Sequence, residues 1–139
     1  MCALSYAHGT GTVPLRGETI GENLRRTGFR DRPDVEVVRA EVLAWLAERV
    51  AGDEAAQRPF AIAIVDPPYA ETALLRTVLE QLGGAASAIL APDARVVAKH
   101  FWRDAPPERI GLLASERRKR FGETALTFYR REAGPKEAQ

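Results

Sequence analysis

Phe60 to Val65 reads FAIAIV, six apolar residues without a break, and Asp66-Pro67-Pro68-Tyr69 follows at once. A continuous apolar run of this kind is the pattern of a strand buried on both faces, as in a parallel sheet. Two successive prolines then end it, because neither can donate a backbone hydrogen bond and both hold φ near roughly −65°. The chain is therefore expected to build an α/β sheet with a stiff corner at the carboxyl end of an inner strand. Open sheets of that kind carry their chemistry at the carboxyl ends of the strands, and Asp66 stands at such an end.

The flanking sequence fills in the rest of the sheet. Ile20 and Leu24 lie four apart with Gly28 after them, which predicts a short helix over Glu18 to Thr27. Val35 to Ala40 is β-branched and reads as a strand. Val42, Leu43, Trp45, Leu46 and Val50 recur at helical spacing up to Gly52, with Trp45 on the apolar, core-facing side. Glu71 to Leu82 predicts the next helix, with Gly83-Gly84 as its stop. Ala94 to Ala98 reads as a strand and Pro106-Pro107 as a break. Leu112 to Arg120 and Thr124 to Arg131 form an expected antiparallel pair turning at Gly122. Alternation there puts Ala125, Thr127 and Tyr129 on one face, with Leu126 and Phe128 on the other. Met1 to Arg16 shows no periodicity and is punctuated by Gly9, Gly11 and Pro14, so it is expected to be irregular. The expected divisions are an irregular leader over 1–17, one domain over 18–132 and a polar tail over 133–139. The fold class is α/β, parallel at first with an antiparallel end.

Composition narrows the function classes. A chain of 139 residues has the size of one domain. Its longest apolar run is far short of the ~20 residues that cross a bilayer. Met1 to Val13 lacks the basic start and apolar stretch of a signal peptide, so the cytoplasm is the expected compartment. Cys2 is the single cysteine, which excludes an internal disulfide and a cysteine-built metal site. His8 and His100 are far apart and unsupported, so no metal is expected. The net charge of +1 hides an asymmetry, since residues 95–139 carry 11 Lys/Arg against 6 Asp/Glu. Such a basic third suggests a surface that faces a polyanion.

The chemistry concentrates at Asp66-Pro67-Pro68-Tyr69. The turn is stiff, and its carbonyls are expected to point outward unpaired. An aspartate, a rigid carbonyl and an aromatic face together suit a flat group that carries an amine. Asp66 and the Pro67 carbonyl can each accept a hydrogen bond from one NH2, while Tyr69 stacks on the ring. The structural alternative is a proline-stiffened loop whose aspartate caps the next helix.

The strand followed by DPPY resembles motif IV of the amino-directed, S-adenosylmethionine-dependent methyltransferases, which act on exocyclic amines of nucleobases. Within that group the chain resembles the RsmD-type enzymes, which methylate the N2 amine of a guanine in bacterial 16S ribosomal RNA. The likeness runs from about Glu22 to Arg131. It includes ENLRRTGF (Glu22 to Phe29), VVRAEVLAWL (Val37 to Leu46) and ERRKRFGETALTFYRR (Glu116 to Arg131). It implies a Rossmann-like class I methyltransferase sheet, S-adenosylmethionine as cofactor, and 16S rRNA or a small-subunit assembly intermediate as partner. The complete enzyme is expected to be a monomer. Asp66, Pro67, Pro68 and Tyr69 are the implied catalytic residues. The resemblance also places Glu41, where the family usually has aspartate, on the adenine amine of the cofactor, with Asp66 beside it. The competing use of Glu41 is to complement the dipole of the helix it opens.

Two family features are missing. The glycine-rich turn after the first strand and the acidic residue ending the second both belong before Glu22. His8-Gly9-Thr10-Gly11-Thr12 holds a lone GxG with no hydrophobic strand read ahead of it, and Glu18 is a poor stand-in for the acid. The chain is thus expected to be an N-terminally truncated copy, with Val35–Ala40 either collapsed on the edge of Phe60–Val65 or detached. Poor cofactor affinity and a tendency to aggregate follow from that expectation.

The remaining candidates concern RNA. Arg117, Arg118, Lys119 and Arg120 form the densest basic run, placed to neutralise phosphates, with solvated surface charge as the alternative. Lys99, His100 and Arg103 follow a strand, with Phe101 and Trp102 between them, a mixture that suits a splayed nucleotide. Other readings of the whole chain are a non-catalytic RNA-binding remnant and a DNA amino-methyltransferase sharing the DPPY motif. The last needs a target-recognition domain for which the length leaves no space.

Overall fold

The computed structural model describes residues 2–7, 22–28, 32, 35–52 and 59–134. The chain divides into two compact units, Met1–Leu46 and Ala47–Gln139.

In the first unit β1 (Cys2–Ala7) precedes α1 (residues 22–27) and β2 (Val35–Ala40). β1 and β2 pair in parallel, from Cys2 opposite Val35 to Ala7 opposite Ala40. This corrects the irregular leader: the glycine and proline punctuation starts only at Gly9, and the six residues before Gly9 and His8 are free to extend. It also gives β2 a partner of its own. β2 belongs to a two-stranded sheet and takes no place on the edge of Phe60–Val65. Glu22 forms ion pairs with Arg25 and Arg26 along α1, and Gly28, at φ 78°, ends the helix. The expected start of that helix, Glu18 to Gly21, lies outside the described residues, as does the GxG of Gly9 and Gly11. α2 (Val42–Ala51) follows β2. Its buried residue is Leu46, while Trp45, expected in the core, is half-buried.

The second unit is built on β3 (Phe60–Val65), α3 (Thr72–Leu82), a 3₁₀ turn at Ser87–Ile89, β4 (Leu90–Phe101), β5 (Arg109–Ile110), β6 (Leu113–Phe121) and β7 (Thr124–Arg131). The strands form one sheet in the order β3-β4-β7-β6-β5. β3 and β4 are parallel, and the remaining neighbours are antiparallel. The β6–β7 hairpin turns through Gly122-Glu123 with Gly122 at φ 61°, the glycine-first form that suits the strand twist.

One face of this sheet is the core. Val96, Ala98 and His100 of β4 lie opposite Tyr129, Thr127 and Ala125 of β7, and all six are buried. α3, which meets β4, buries Leu75, Val78, Leu79 and Leu82. At roughly 1.5–3 kcal/mol for each buried side chain, this stripe is what holds the helix. The other face is only partly covered. β3 is the edge strand, and Ile62 and Ile64 are 65% and 72% exposed, which corrects the expected burial of FAIAIV on both faces. β4 is also longer than the expected Ala94–Ala98. Its register against β3 shifts between Phe60 and Ile62, and Pro92-Asp93 sits in that irregular stretch, which hides the first half from a periodicity reading. Among the described residues no helix is long and apolar enough to cross a membrane.

Two contacts lock the ends of the second unit. Gly83, just after α3, lies so close to the β5–β6 turn that a Cβ there would stand 2.2 Å from the Ile110 carbonyl oxygen. The Gly83 carbonyl in turn accepts the Leu112 amide at 2.8 Å. Tyr129, fully buried, donates its hydroxyl to the Pro107 carbonyl at 2.7 Å and so anchors the double-proline segment after β4. Burial pushes the Tyr129 phenol up to about 12, with Arg118 opposing the shift.

Gly83→Ala is expected to destabilise the protein by about 1–3 kcal/mol through main-chain overpacking, although the backbone there, at φ −86°, is one that alanine adopts without strain. A thermal melt that leaves the midpoint in place would contradict this. The raised phenol makes a second expectation. The folded state holds this proton more tightly than the unfolded chain, whose tyrosine ionises near ~10. The contribution is therefore whole below that pH and is lost as pH rises through about 12. In an ultraviolet difference titration Tyr129 should ionise late, and Tyr129→Phe should remove that late step.

Candidate active site at the end of β3

β3 stops at Val65, paired with Ala98, while β4 runs on through Lys99, His100 and Phe101 against β7 alone. The Asp66–Tyr69 corner folds into the space beside that overhang. Pro68 accepts the Glu71 amide at 2.9 Å, so one of the carbonyls expected to be free is used in the turn. The Pro67 carbonyl has no partner among the described residues. The N-cap of α3 is Glu71, with no side chain bonded there, so Asp66 does not cap the helix. Its carboxylate instead stands 3.6 Å from the Lys99 ammonium, both side chains about half-exposed. Tyr69 is 43% exposed, and its hydroxyl is hydrogen-bonded to Thr124 Oγ1 at the start of β7. The aromatic ring of the corner is thus tethered to the hairpin.

Strand alternation sorts the basic residues. Arg117 and Lys119 lie opposite Phe128 and Leu126, on the face that also carries Lys99 and Thr124. Arg118 and Arg120 lie opposite Thr127 and Ala125, on the core side. Arg118 donates to Thr127 Oγ1 at 3.2 Å and to the Pro106 carbonyl at 3.3 Å. Arg120 donates to the Gly122 carbonyl at 2.7 Å and lies 3.7 Å from the centre of the Trp102 ring. Two of the four expected phosphate ligands are therefore committed to the fold.

His100 is corrected outright. It is 3% exposed, with Nδ1 donating to the Phe101 carbonyl and Nε2 accepting from Thr127 Oγ1, both at 2.8 Å. It holds the sheet together and does not face solvent. Arg103 is exposed but lies 4.8 Å from the Trp102 ring centre. With two guanidiniums on it, that indole is already occupied, at about 0.5–1 kcal/mol for each exposed contact.

In the first unit, Glu41 is the N-cap of α2. Its two carboxylate oxygens accept the Leu43 and Ala44 amides at 3.0 and 2.8 Å. The helix-complementing use is the one realised. Nor do the described glycines make a cradle for an adenosyl group. Gly83 and Gly111, the two most closely approached, press on each other's segments, and Gly28 and Gly122 face open space. His8 to Thr12 and Glu18 lie outside the described residues, although β1 does lead into His8. The corner thus holds two hydrogen-bond acceptors, the Asp66 carboxylate and the Pro67 carbonyl. Among the described residues no group of three or more metal-ligating side chains forms.

Residues 16–130 match the family model described as conserved hypothetical protein 95. No curated protein matches the sequence. Among solved structures the fold is similar to yhhF of Escherichia coli, which carries a methyltransferase name (TM-score 0.67, 22% identity, 95% of this chain and 63% of that one). It is also similar to a conserved hypothetical protein of Streptococcus pyogenes (0.69, 22%, 94% and 71%). A third is the rRNA methyltransferase aviRa of Streptomyces viridochromogenes (0.50, 15%, 87% and 57%). The chain spans less than two thirds of the first and third of these. At such identities the likeness establishes the mixed α/β fold.

Proposed function

We propose, for a chain that belongs to the conserved hypothetical protein 95 family of RsmD-type methyltransferases, that it methylates an exocyclic nucleobase amine in ribosomal RNA. The specific reading is the N2 amine of a guanine in 16S rRNA, presented as naked RNA or in an immature small subunit. The protein acts as a monomer in the cytoplasm. S-adenosylmethionine is the methyl source the family implies, and it supplies an electrophilic methyl group. The observation that carries the reading is the half-exposed Asp66 carboxylate next to an unpartnered Pro67 carbonyl, with Tyr69 tethered alongside.

An aromatic amine is a poor nucleophile because its lone pair is delocalised into the ring. Asp66 and the Pro67 carbonyl accept its two hydrogens and leave the lone pair directed out of the ring plane. Tyr69 fixes that plane by stacking. Its own freedom is reduced by the bond to Thr124, so less orientation entropy is lost when the base arrives. Asp66 serves first as an acceptor and then stabilises positive charge growing on the nitrogen. Lys99 occupies the carboxylate until then. An exposed ion pair of this kind is worth only about 0–1 kcal/mol, so an incoming amine displaces it readily. The freed ammonium is left beside the incoming strand, where a phosphate can take it. The base reaches the corner only when unpaired or flipped out of its stack.

Methyl transfer to 16S RNA and to immature small subunits is the direct test. Asp66→Ala should lower turnover by about 100-fold or more with RNA affinity almost unchanged; equal loss of both would reject the assignment. Thr124→Val should lower kcat by roughly 2- to 12-fold, the value of one hydrogen bond, with KM little changed. Thr124→Ser should restore it, which a general loss of structure would not allow.

A further inference from the structure

Phe121 is 59% exposed at the end of β6, beside a turn whose glycine faces open space. It lies opposite Thr124, and Thr124 lies opposite Phe101 on the other side of β7. Thr124 also holds the Tyr69 hydroxyl. Phe121 and Tyr69 therefore share Thr124 as a neighbour, Phe121 through a cross-strand pair with a Cβ separation of about 4.5–5.5 Å and Tyr69 through its hydroxyl. Behind Phe121 on the same face of β6 come Lys119 and Arg117, each about 7 Å from the next. Both are exposed, with no ion-pair partner among the described residues. Other cations nearby are spoken for: Arg95 pairs with Glu116, Arg109 with Glu132, and Arg120 covers Trp102.

We infer that Phe121 is a base-stacking residue, taking the nucleobase next to the target in an unpaired RNA strand while Lys119 and Arg117 neutralise that strand's phosphates. The inference rests on the methyl-transfer reading for its substrate and adds the contact that holds the neighbouring nucleotide. A phenyl ring at a hairpin tip offers its face to any base, which fits recognition by stacking. Two adjacent bases then have two rings linked through Thr124, the target on Tyr69 and its neighbour on Phe121. Alternation along β6 explains why only half of the basic run takes part.

The test measures binding of the full chain to a short, mixed-sequence, unpaired RNA oligonucleotide and to the same backbone made abasic, without a methyl donor. Phe121→Ala should weaken binding of the base-bearing strand by roughly 5- to 100-fold. On the abasic strand it should bind like the wild type, and Phe121→Trp should retain affinity on both. The double variant Arg117→Gln with Lys119→Gln should weaken both strands and lower the salt slope by about 1.4. Wild-type affinity of Phe121→Ala for the base-bearing strand, or an equal loss on the abasic strand, would overturn the inference. So would a loss of self-association in Phe121→Ala with RNA affinity intact, since the ring would then cover a second copy. Phe121-dependent binding without any methyl transfer would reject only the proposed activity. Active methylation with the KM of Phe121→Ala unchanged would reject only the stacking role.

Discussion

Pro67 and Pro68 have no amide hydrogens to give to a neighbouring strand, and the site follows from that. β3 ends at Val65, and its neighbour β4 continues for three more residues with one side open. Had the strand continued, Asp66 would lie within the edge of the sheet with its main chain paired. Instead the chain turns away, Pro68 closes the turn on Glu71, and the Pro67 carbonyl is left as an acceptor. The same two residues that end the strand supply the stiffness needed to keep the carboxylate, the carbonyl and the ring in fixed relation, because their φ angles are fixed before folding.

What surrounds the corner is decided by the register of β4 against β7. Lys99 opposite Leu126 and Phe101 opposite Thr124 bring a cation and the Tyr69 tether to the open face. Side chains alternate with a period of two, so a slip of one residue would exchange every member of that face with the core. His100 would then stand beside Asp66, and Lys99 would be driven into the core opposite Thr127 or Ala125, while Val96 and Ala98 turned outward. The acceptor site and the hydrophobic core are thus two sides of one pairing.

This explains which parts were legible from sequence. The FAIAIV run, the DPPY corner, the α3 stripe and the Gly122 hairpin depend on local pattern, and all could be placed within a few residues. β1 was missed because CALSYA has no β-branched residue and its partner lies beyond α1. The first half of β4 was missed because Pro92 and Asp93 interrupt the apolar pattern. At the candidate site the corner was visible, but its partners were not. Lys99 meets Asp66, and Thr124 meets Tyr69, only through pairings across β3, β4 and β7. The division of Arg117 to Arg120 between two faces was present in the alternation of β6 itself. A run of four like charges shows its sum in any conformation, and its parity only in an extended strand. His100 looked like a ligand for the same reason: a polar residue among cations and aromatics gives no local sign that it points inward.

The buried Thr127 and His100 behind the site, with the exposed Arg118 bonded to Thr127, help select the pairing that makes it. Arg118 donates to Thr127, Thr127 donates to His100 Nε2, and His100 Nδ1 donates to the Phe101 carbonyl, so the hydrogen bonds run in one direction with every member used. An apolar core at these positions would tolerate a shifted register at modest cost, since one aliphatic contact substitutes for another. A hydrogen-bonded chain does not. Any slip strands its groups at about 1–3 kcal/mol for each one left buried and unsatisfied. Placing this network on β4 and β7, directly beneath Lys99 and Thr124, fixes the register at the level where the open face needs it. The hidden face of the sheet therefore carries the specificity that the exposed face uses.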